Sequence, residues 1–279
     1  MTREREFDFS DREFRAIRDL VSAQAGIVLN EAKRDMIYGR LVRRLRALDI
    51  DNFGAYCELL SSADGAGEME AFVNAVTTNL TSFFREAHHF EFLAQQLLPR
   101  LLKERAGTRR LRIWSAGCST GEEPYSLAMT LREAIPRIDG WDVKILATDI
   151  DTNVLATAAA GVYGEERVRD LPRERLQNWF RKGCGEYDGM VKVATALQDM
   201  ISFRQLNLLG AWPMRGCFDV IFCRNVVIYF DKPTQKKLFE RMADLLAPDG
   251  HLFIGHSESL FKVTDRFRTL GNTIYERAA

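Results

Sequence analysis

Apolar residues along the chain change their spacing near residue 110, and that change divides the sequence in two. Upstream the spacing is helical. Phe14, Ile17, Leu20 and Val21 recur every three to four residues before Gly26 interrupts them. The stripe Ile37, Leu41, Leu45 and Leu48 predicts a second helix from about Ala32 to Ala47. DNFGAYCELL predicts a third, with Asp51 or Asn52 as its N-cap. SSADGAGE reads as a loop, and MEAFVNAVTTNL begins a fourth helix.

Downstream, short apolar runs alternate with amphipathic stretches. LRIWSAG, VKILATDID, ISFRQLNLL, FDVIFCRNV, HLFIGHS and TIYERA predict strands. EEPYSLAMTLREAI, NVLATAAA and TQKKLFERMADLLA predict helices between them. Such alternation implies an α/β domain with a mixed, mostly parallel sheet covered on both faces. No helix separates the last two strands, which predicts an antiparallel hairpin at the sheet edge. Residues 179–205 break the alternation with glycines and two short β-like runs, and predict a small antiparallel insert. The expected organisation is an all-helical domain over 1–75 and an α/β domain over 76–279. The second includes a linker at 76–90 and a β-subdomain at 179–205.

Composition narrows the chemistry by exclusion. Among 279 residues, 39 basic and 39 acidic side chains cancel, so no global field points to nucleic acid or membrane. No apolar run approaches the roughly 20 residues of a membrane span. The start, MTREREFDFSDREF, lacks the apolar stretch of a signal peptide, and a cytoplasmic location is expected. Five cysteines without a CxxC pair argue against a disulfide framework or zinc site. His88 and His89 are adjacent and cannot share one helix face, so they read as structural and no metal is expected.

Candidate chemistry lies just after the strands, where open parallel sheets bind ligands. After LRIWSA come Gly117 and Gly121, four apart and unlike GxGxxG, then Glu122 and Glu123 at a helix start. Two carboxylates there repel a pyrophosphate and suit a cation, such as the ammonium or sulfonium of S-adenosylmethionine. Methyl transfer is therefore favoured over hydride transfer, with a helix-dipole role for the two glutamates left open. Asp149 is placed to accept hydrogen bonds from ribose hydroxyls. Asn207 and Leu208 follow one strand and Arg224 and Asn225 another, completing a convergent polar rim. An Asn beside an adenine pairs with its edge, and an Arg at a buried strand end needs a partner.

A second feature is the helix KRDMIYGRLVRRLRAL, in which Arg40, Arg43 and Arg46 form an i, i+3, i+6 ridge. Arg44 borders the apolar stripe and packs its stem there. A solvated charged face and a docking surface for an acidic partner are both consistent with the ridge.

TTNLTSFFREAHHF (77–90), WSAGCSTGEEPYSLA (114–128), ATDID (147–151), FCRNVVIYFD (222–231) and LAPDGHLFIGHSES (246–259) together resemble the chemotaxis receptor methyltransferase family. The resemblance implies a Rossmann-like S-adenosylmethionine methyltransferase domain behind the helical one, with S-adenosylhomocysteine as product. Its reaction would be methyl esterification of glutamates on the cytoplasmic helical region of chemotaxis receptors, by a monomer that meets the membrane only through them. It carries cofactor contacts onto Asn79, Thr81, Arg85, Glu123, Asp149, Asn207, Leu208, Arg224 and Asn225, and places Arg85 and Tyr229 near the transferring methyl group. Cys118 stands where relatives often have another small residue. Gly183, Gly185 and Gly189 match the glycine-rich turn of the family's β-subdomain, which in some members grips the receptor's C-terminal peptide. Lys182 and Lys192 stand there where Arg is common. With a receptor helix as substrate, docking at Arg40, Arg43, Arg44 and Arg46 becomes the favoured reading of the ridge. The alternatives are a nucleic-acid methyltransferase, although RNVVIY lacks the prolines of Asn-Pro-Pro-Tyr, and a cofactor-binding module without turnover.

Overall fold

A computed structural model describes residues 5–278; residues 1–4 of the expected helical domain lie outside this range. The first helices are α1 (Asp11–Ala25), α2 (Arg34–Leu48), α3 (Phe53–Ser61) and α4 (Ala66–Val76). Ser10 and Glu13 cap α1 reciprocally, and Asn52 caps α3 by accepting the Ala55 N–H at 2.8 Å. Ile37, Leu41 and Leu45 of α2 are buried as expected, but Leu48 is 37% exposed. It is the last residue of the helix, where the chain turns off at Asp49, and Val42 fills the core instead. α4 begins at Ala66, inside the stretch expected to be a loop, and ends before Thr77.

Two short helices absent from the sequence reading follow, α5 (His88–Phe92) and α6 (Leu98–Glu104), joined by a π-type turn at Leu93–Leu97. The remaining helices are α7 (Glu122–Ala134), α8 (Thr152–Ala160), α9 (Arg173–Trp179), α10 (Thr195–Gln198) and α11 (Lys232–Leu245). The strands, in chain order, are β1 (Arg110–Ala116), β2 (Asp142–Asp149), β3 (Val162–Gly164), β4 (Phe180–Lys182) and β5 (Met190–Val193). After them come β6 (Ile201–Gln205), β7 (Phe218–Cys223), β8 (Leu246–Ile254), β9 (Phe267–Gly271) and β10 (Ile274–Arg277).

Seven strands form one sheet in the order β6-β2-β1-β7-β8-β10-β9. It is parallel from β6 through β8, and β10 and β9 run antiparallel at one edge. The terminal hairpin is therefore made by β9 and β10; β8 is β10's antiparallel neighbour but not its hairpin partner. Alternation across the pleat decides which face each residue serves. Ile113, Val220, Phe222 and Phe253 pack with Leu93, Leu97, Leu127 and Leu131 on one face. Trp114, Ile221 and Leu252 pack with Leu238, Phe239 and Met242 of α11 on the other. Burial on both faces accounts for the near-continuous apolar runs of β1, β7 and β8.

The small sheet has three strands, order β3-β5-β4, not the two of the expected insert. β3 lies before residue 179, and Ile201–Gln205 belongs to the large sheet. Strands this short exist only through their partners, so local pattern does not reveal them.

Candidate functional site

Strand order runs outward in opposite directions from β1 and β7, which opens a crevice at their carboxyl ends. A cleft of about 950 Å³, counted out to open solvent, lies there. Its walls come from the ends of β1, β2 and β7, from residues 77–85, and from Ala25 and Ile27 of the helical domain. Asn79, Thr81, Arg85, Glu123, Asp149, Asn207, Leu208, Arg224, Asn225 and Tyr229 all line it. Gly117 also lines it, with φ at 83°, and a Cβ there would overlap Val226. Its bare backbone lets the end of β1 and the turn after β7 close on each other.

Glu123 is a carboxylate of this wall, its side chain 11% exposed. It accepts from Ser115 Oγ at 2.7 Å and from Arg224 Nη1 at 3.0 Å. Burial pushes its pKa up, and the Arg224 charge and the Ser115 hydroxyl oppose that push. Arg224, itself buried, also lies 3.3 Å from Glu86 and donates to the Arg85 carbonyl. The partner that a buried strand-end arginine requires is thus a pair of glutamates. Burial raises the pKa of Glu86, but the His256 hydrogen bond at 2.8 Å and the Arg224 charge outweigh it and hold the group at about 2.

Asp149 ends β2 and accepts the main-chain N–H groups of Ser119 (2.8 Å) and Asp151 (3.1 Å). Its pKa is raised by burial against the pull of those donors. Asn79 is strapped by Asp151, whose Oδ2 accepts from Asn79 Nδ2 at 2.7 Å and Thr77 Oγ1 at 2.8 Å. Sequence reasoning passed over Asp151; its signal is the second aspartate of ATDID, which also caps α8. The Asn207 amide donates to the Gln24 carbonyl at 2.6 Å and accepts from the Leu209 N–H. These bonds fix its orientation at the cleft and leave one amide N–H and one oxygen lone pair without a partner among the described residues. Arg85 Nη1 donates to the Leu80 carbonyl at 2.8 Å. Tyr229 sits in a 3₁₀ turn after β7, with Lys33 Nζ 5.0 Å from its ring centroid and its carbonyl accepting the Val28 N–H. Ala25 and Ile27 carried no sequence signal, because nothing local ties the end of α1 to a strand end 90 residues on.

Glu122 does not share the site of Glu123. It is fully buried on another side of α7, paired with Arg167 and accepting from Thr120 Oγ1 at 2.6 Å. Adjacent helix positions diverge by about 100°, so only one of two consecutive glutamates can face the cleft. The two histidines nevertheless come together at the start of α5, their ring centroids 4.2 Å apart. With Glu86 they form a cluster of metal-ligand spacing, yet Arg224 lies 3.3 Å from the same carboxylate and opposes a second cation there.

The basic ridge also divides. Arg40 Nη1 donates to the carbonyls of Val76 (2.9 Å) and Thr77 (2.5 Å), closing the end of α4. Arg44 is bidentate to buried Glu68. Neither is free to dock a partner as expected. Arg46 pairs with Glu6 at the surface, whereas Arg43 is exposed and has no side-chain partner among the described residues. In the small sheet, Lys182 pairs with Glu165 at 2.9 Å and Lys192 is exposed on the central strand. Gly185 and Gly189 take left-handed backbone at φ 62° and 77°, and a Cβ on Gly183 would overlap the Tyr187 carbonyl.

Two family models match the chain: CheR methyltransferase, all-alpha domain, over residues 12–77, and CheR methyltransferase, SAM binding domain, over residues 79–276. A chemotaxis protein methyltransferase of Escherichia coli strain K12 is 48% identical over 268 residues, covering 95% of this chain and 91% of that protein. Chemotaxis protein methyltransferase 2 of Pseudomonas aeruginosa is 46% identical over 274 residues, covering 98% and 95%.

Proposed function

This chain belongs to the CheR methyltransferase family, and from that premise we propose that it esterifies glutamate side chains on the cytoplasmic helices of chemotaxis receptors. The cofactor is S-adenosylmethionine, and the donor set of the cleft fits it. Glu123 suits the ammonium, Asp149 the ribose hydroxyls, and Leu206, Leu208 and Val226 an apolar ring. When bound, that cofactor supplies a methyl group on sulfonium: an oxygen–methyl bond forms as the sulfur–methyl bond breaks, and both charges vanish.

The observation that carries the ester reading is what the cleft offers a substrate. Among the described residues its lining holds Arg85 and Tyr229 but no histidine, lysine or thiol. A glutamate carboxylate, with an ordinary pKa near 4.3, is already ionised at neutral pH and requires no base. An amine, by contrast, must lose a proton in the course of methylation. Arg85 and Tyr229 then serve to align the carboxylate in the cleft. Incubation with tritiated cofactor and receptor-bearing membranes, followed by mild base, tests this. Esters release labelled methanol; label that stays on protein or on nucleic acid refutes the reading.

Docking rests on the exposed Arg43, joined by Arg46, whose surface pair with Glu6 exchanges readily. A receptor C-terminal peptide would add to β4, an edge strand. The Trp179–Ala194 and Gly183–Met190 hydrogen bonds set the alternation of the β4–β5 ladder. They leave the peptide groups of Phe180 and Lys182 facing outward, and Arg181 and Lys192 pair in register on an exposed face.

A further inference from the structure

We propose that Glu258 is a positioning residue for methyl transfer, holding in place the turn that carries Asn225 and Tyr229 into the cleft. Glu258 is only 6% exposed, and every hydrogen bond to its carboxylate comes from a main-chain N–H. Oε2 accepts from Asn225 at 3.0 Å and Gly255 at 2.6 Å; Oε1 accepts from Val227 at 2.9 Å and Ile228 at 3.2 Å.

These donors exist because of how the chain leaves β7. Asn225 takes a left-handed backbone at φ 59°, and a single 3₁₀ turn at Val227–Tyr229 follows. Neither conformation supplies an acceptor for the N–H groups at its start, and an N–H left unpaired away from water is destabilising; the Val227 bond is buried and those of Asn225 and Ile228 are partly buried. One carboxylate satisfies three of them and joins them to Gly255 at the exit of β8. The exits of two adjacent strands are thereby locked together directly behind the cleft wall. On its other side the turn is held by the helical domain, through the Val28 N–H to the Tyr229 carbonyl. Burial raises the Glu258 pKa while the N–H groups lower it, so the four donors stand in for a counter-cation.

The geometry distinguishes a carboxylate from its amide. Each oxygen takes two donors, so in Glu258→Gln the amide NH₂ must face two N–H groups whichever way it is turned. Size and shape are kept while one half of the clamp becomes repulsive.

The inference rests on the reading above that Tyr229 aligns the substrate carboxylate. The experiment compares wild type, Glu258→Gln and Tyr229→Phe for S-adenosylhomocysteine affinity and for single-turnover methyl transfer at saturating cofactor. The expected result for Glu258→Gln is affinity within a few-fold of wild type and transfer slowed on the order of 100-fold, as misplacement by about 1 Å can produce. A wild-type rate in Glu258→Gln beside a slow Tyr229→Phe overturns the role of Glu258 alone. A loss confined to cofactor affinity overturns it too. A wild-type rate in Tyr229→Phe overturns the reading of the site beneath it. Should Glu258→Gln fail to fold, amide exchange in the wild-type protein decides: Asn225, Val227 and Ile228 are expected to exchange as slowly as core strands. Exchange at the rate of open loops would refute the clamp.

Discussion

Arg224 Nη1 lies 3.0 Å from Glu123 Oε2 while the same guanidinium lies 3.3 Å from Glu86, so one buried cation serves two carboxylates behind the cleft. Burial opposes the charge of both and Arg224 supports it, and only Glu123 faces the cleft. Glu123→Gln keeps the size and removes the charge. The expected outcome is a loss of about 1.5–3 kcal/mol in S-adenosylhomocysteine affinity by calorimetry, the range for hydrogen bonds to charged groups. Unchanged affinity would remove Glu123 from the cofactor site.

Arg40 and Arg43 belong to one ridge by spacing and to different roles by contact. Arg43→Glu is expected to slow receptor methylation without altering thermal stability or cofactor affinity. High salt should slow the wild-type protein in the same direction, since exposed charges are screened beyond roughly 10 Å at about 0.1 M. Arg40→Ala should instead lower the melting temperature, because the Val76 and Thr77 carbonyls lose their donor. Stability unchanged in Arg40→Ala, or methylation unchanged in Arg43→Glu, would reverse the respective assignment.

Tyr229 separates alignment from acid–base chemistry. Tyr229→Phe should lose on the order of 10- to 100-fold in single-turnover transfer, keep its cofactor affinity, and show no new pH dependence between about pH 6 and 9. A steep rise in the wild-type rate across that window, abolished in Tyr229→Phe, would make the tyrosine a base.

His89 sets an acid limit on stability. It is fully buried, its Nε2 3.0 Å from the Asn272 carbonyl, and burial followed by the Arg224 charge lowers its pKa from 6.5 to about 4. Between those values the unfolded chain binds a proton that the folded chain refuses. Stability from this group is therefore complete above about pH 6.5 and falls as pH drops toward 4, by as much as about 3 kcal/mol. Thermal melts from pH 7 to 4.5 should show this decline, and His89→Gln should flatten it. An equal slope in both proteins would place the acid sensitivity elsewhere.

Much of this is legible in the sequence itself. Apolar periodicity is a local property, so α1 through α4, α7, α11 and the strands β1, β2, β7 and β8 could be read directly. The ends of those strands located the cleft, since a parallel sheet presents its ligands there whatever the side chains. The helices α5 and α6 and the strands β3 and β9 were not legible, because their stability comes from surfaces distant in sequence. Orientation was equally out of reach. Spacing places Arg40, Arg43 and Arg46 on one side of α2, but the carbonyls that capture Arg40 lie more than 30 residues away. Glu122 and Glu123 are equivalent as letters, and only the packing of α7 sends one to Arg167 and the other to Arg224. The chain by itself determined which chemical groups stand at the strand ends, because composition and period are written residue by residue. Tertiary structure alone decided which groups are consumed in holding the site and which stay free to act in it. A buried charge or N–H is satisfied by whatever the fold brings within about 3 Å, and no local pattern encodes that distance.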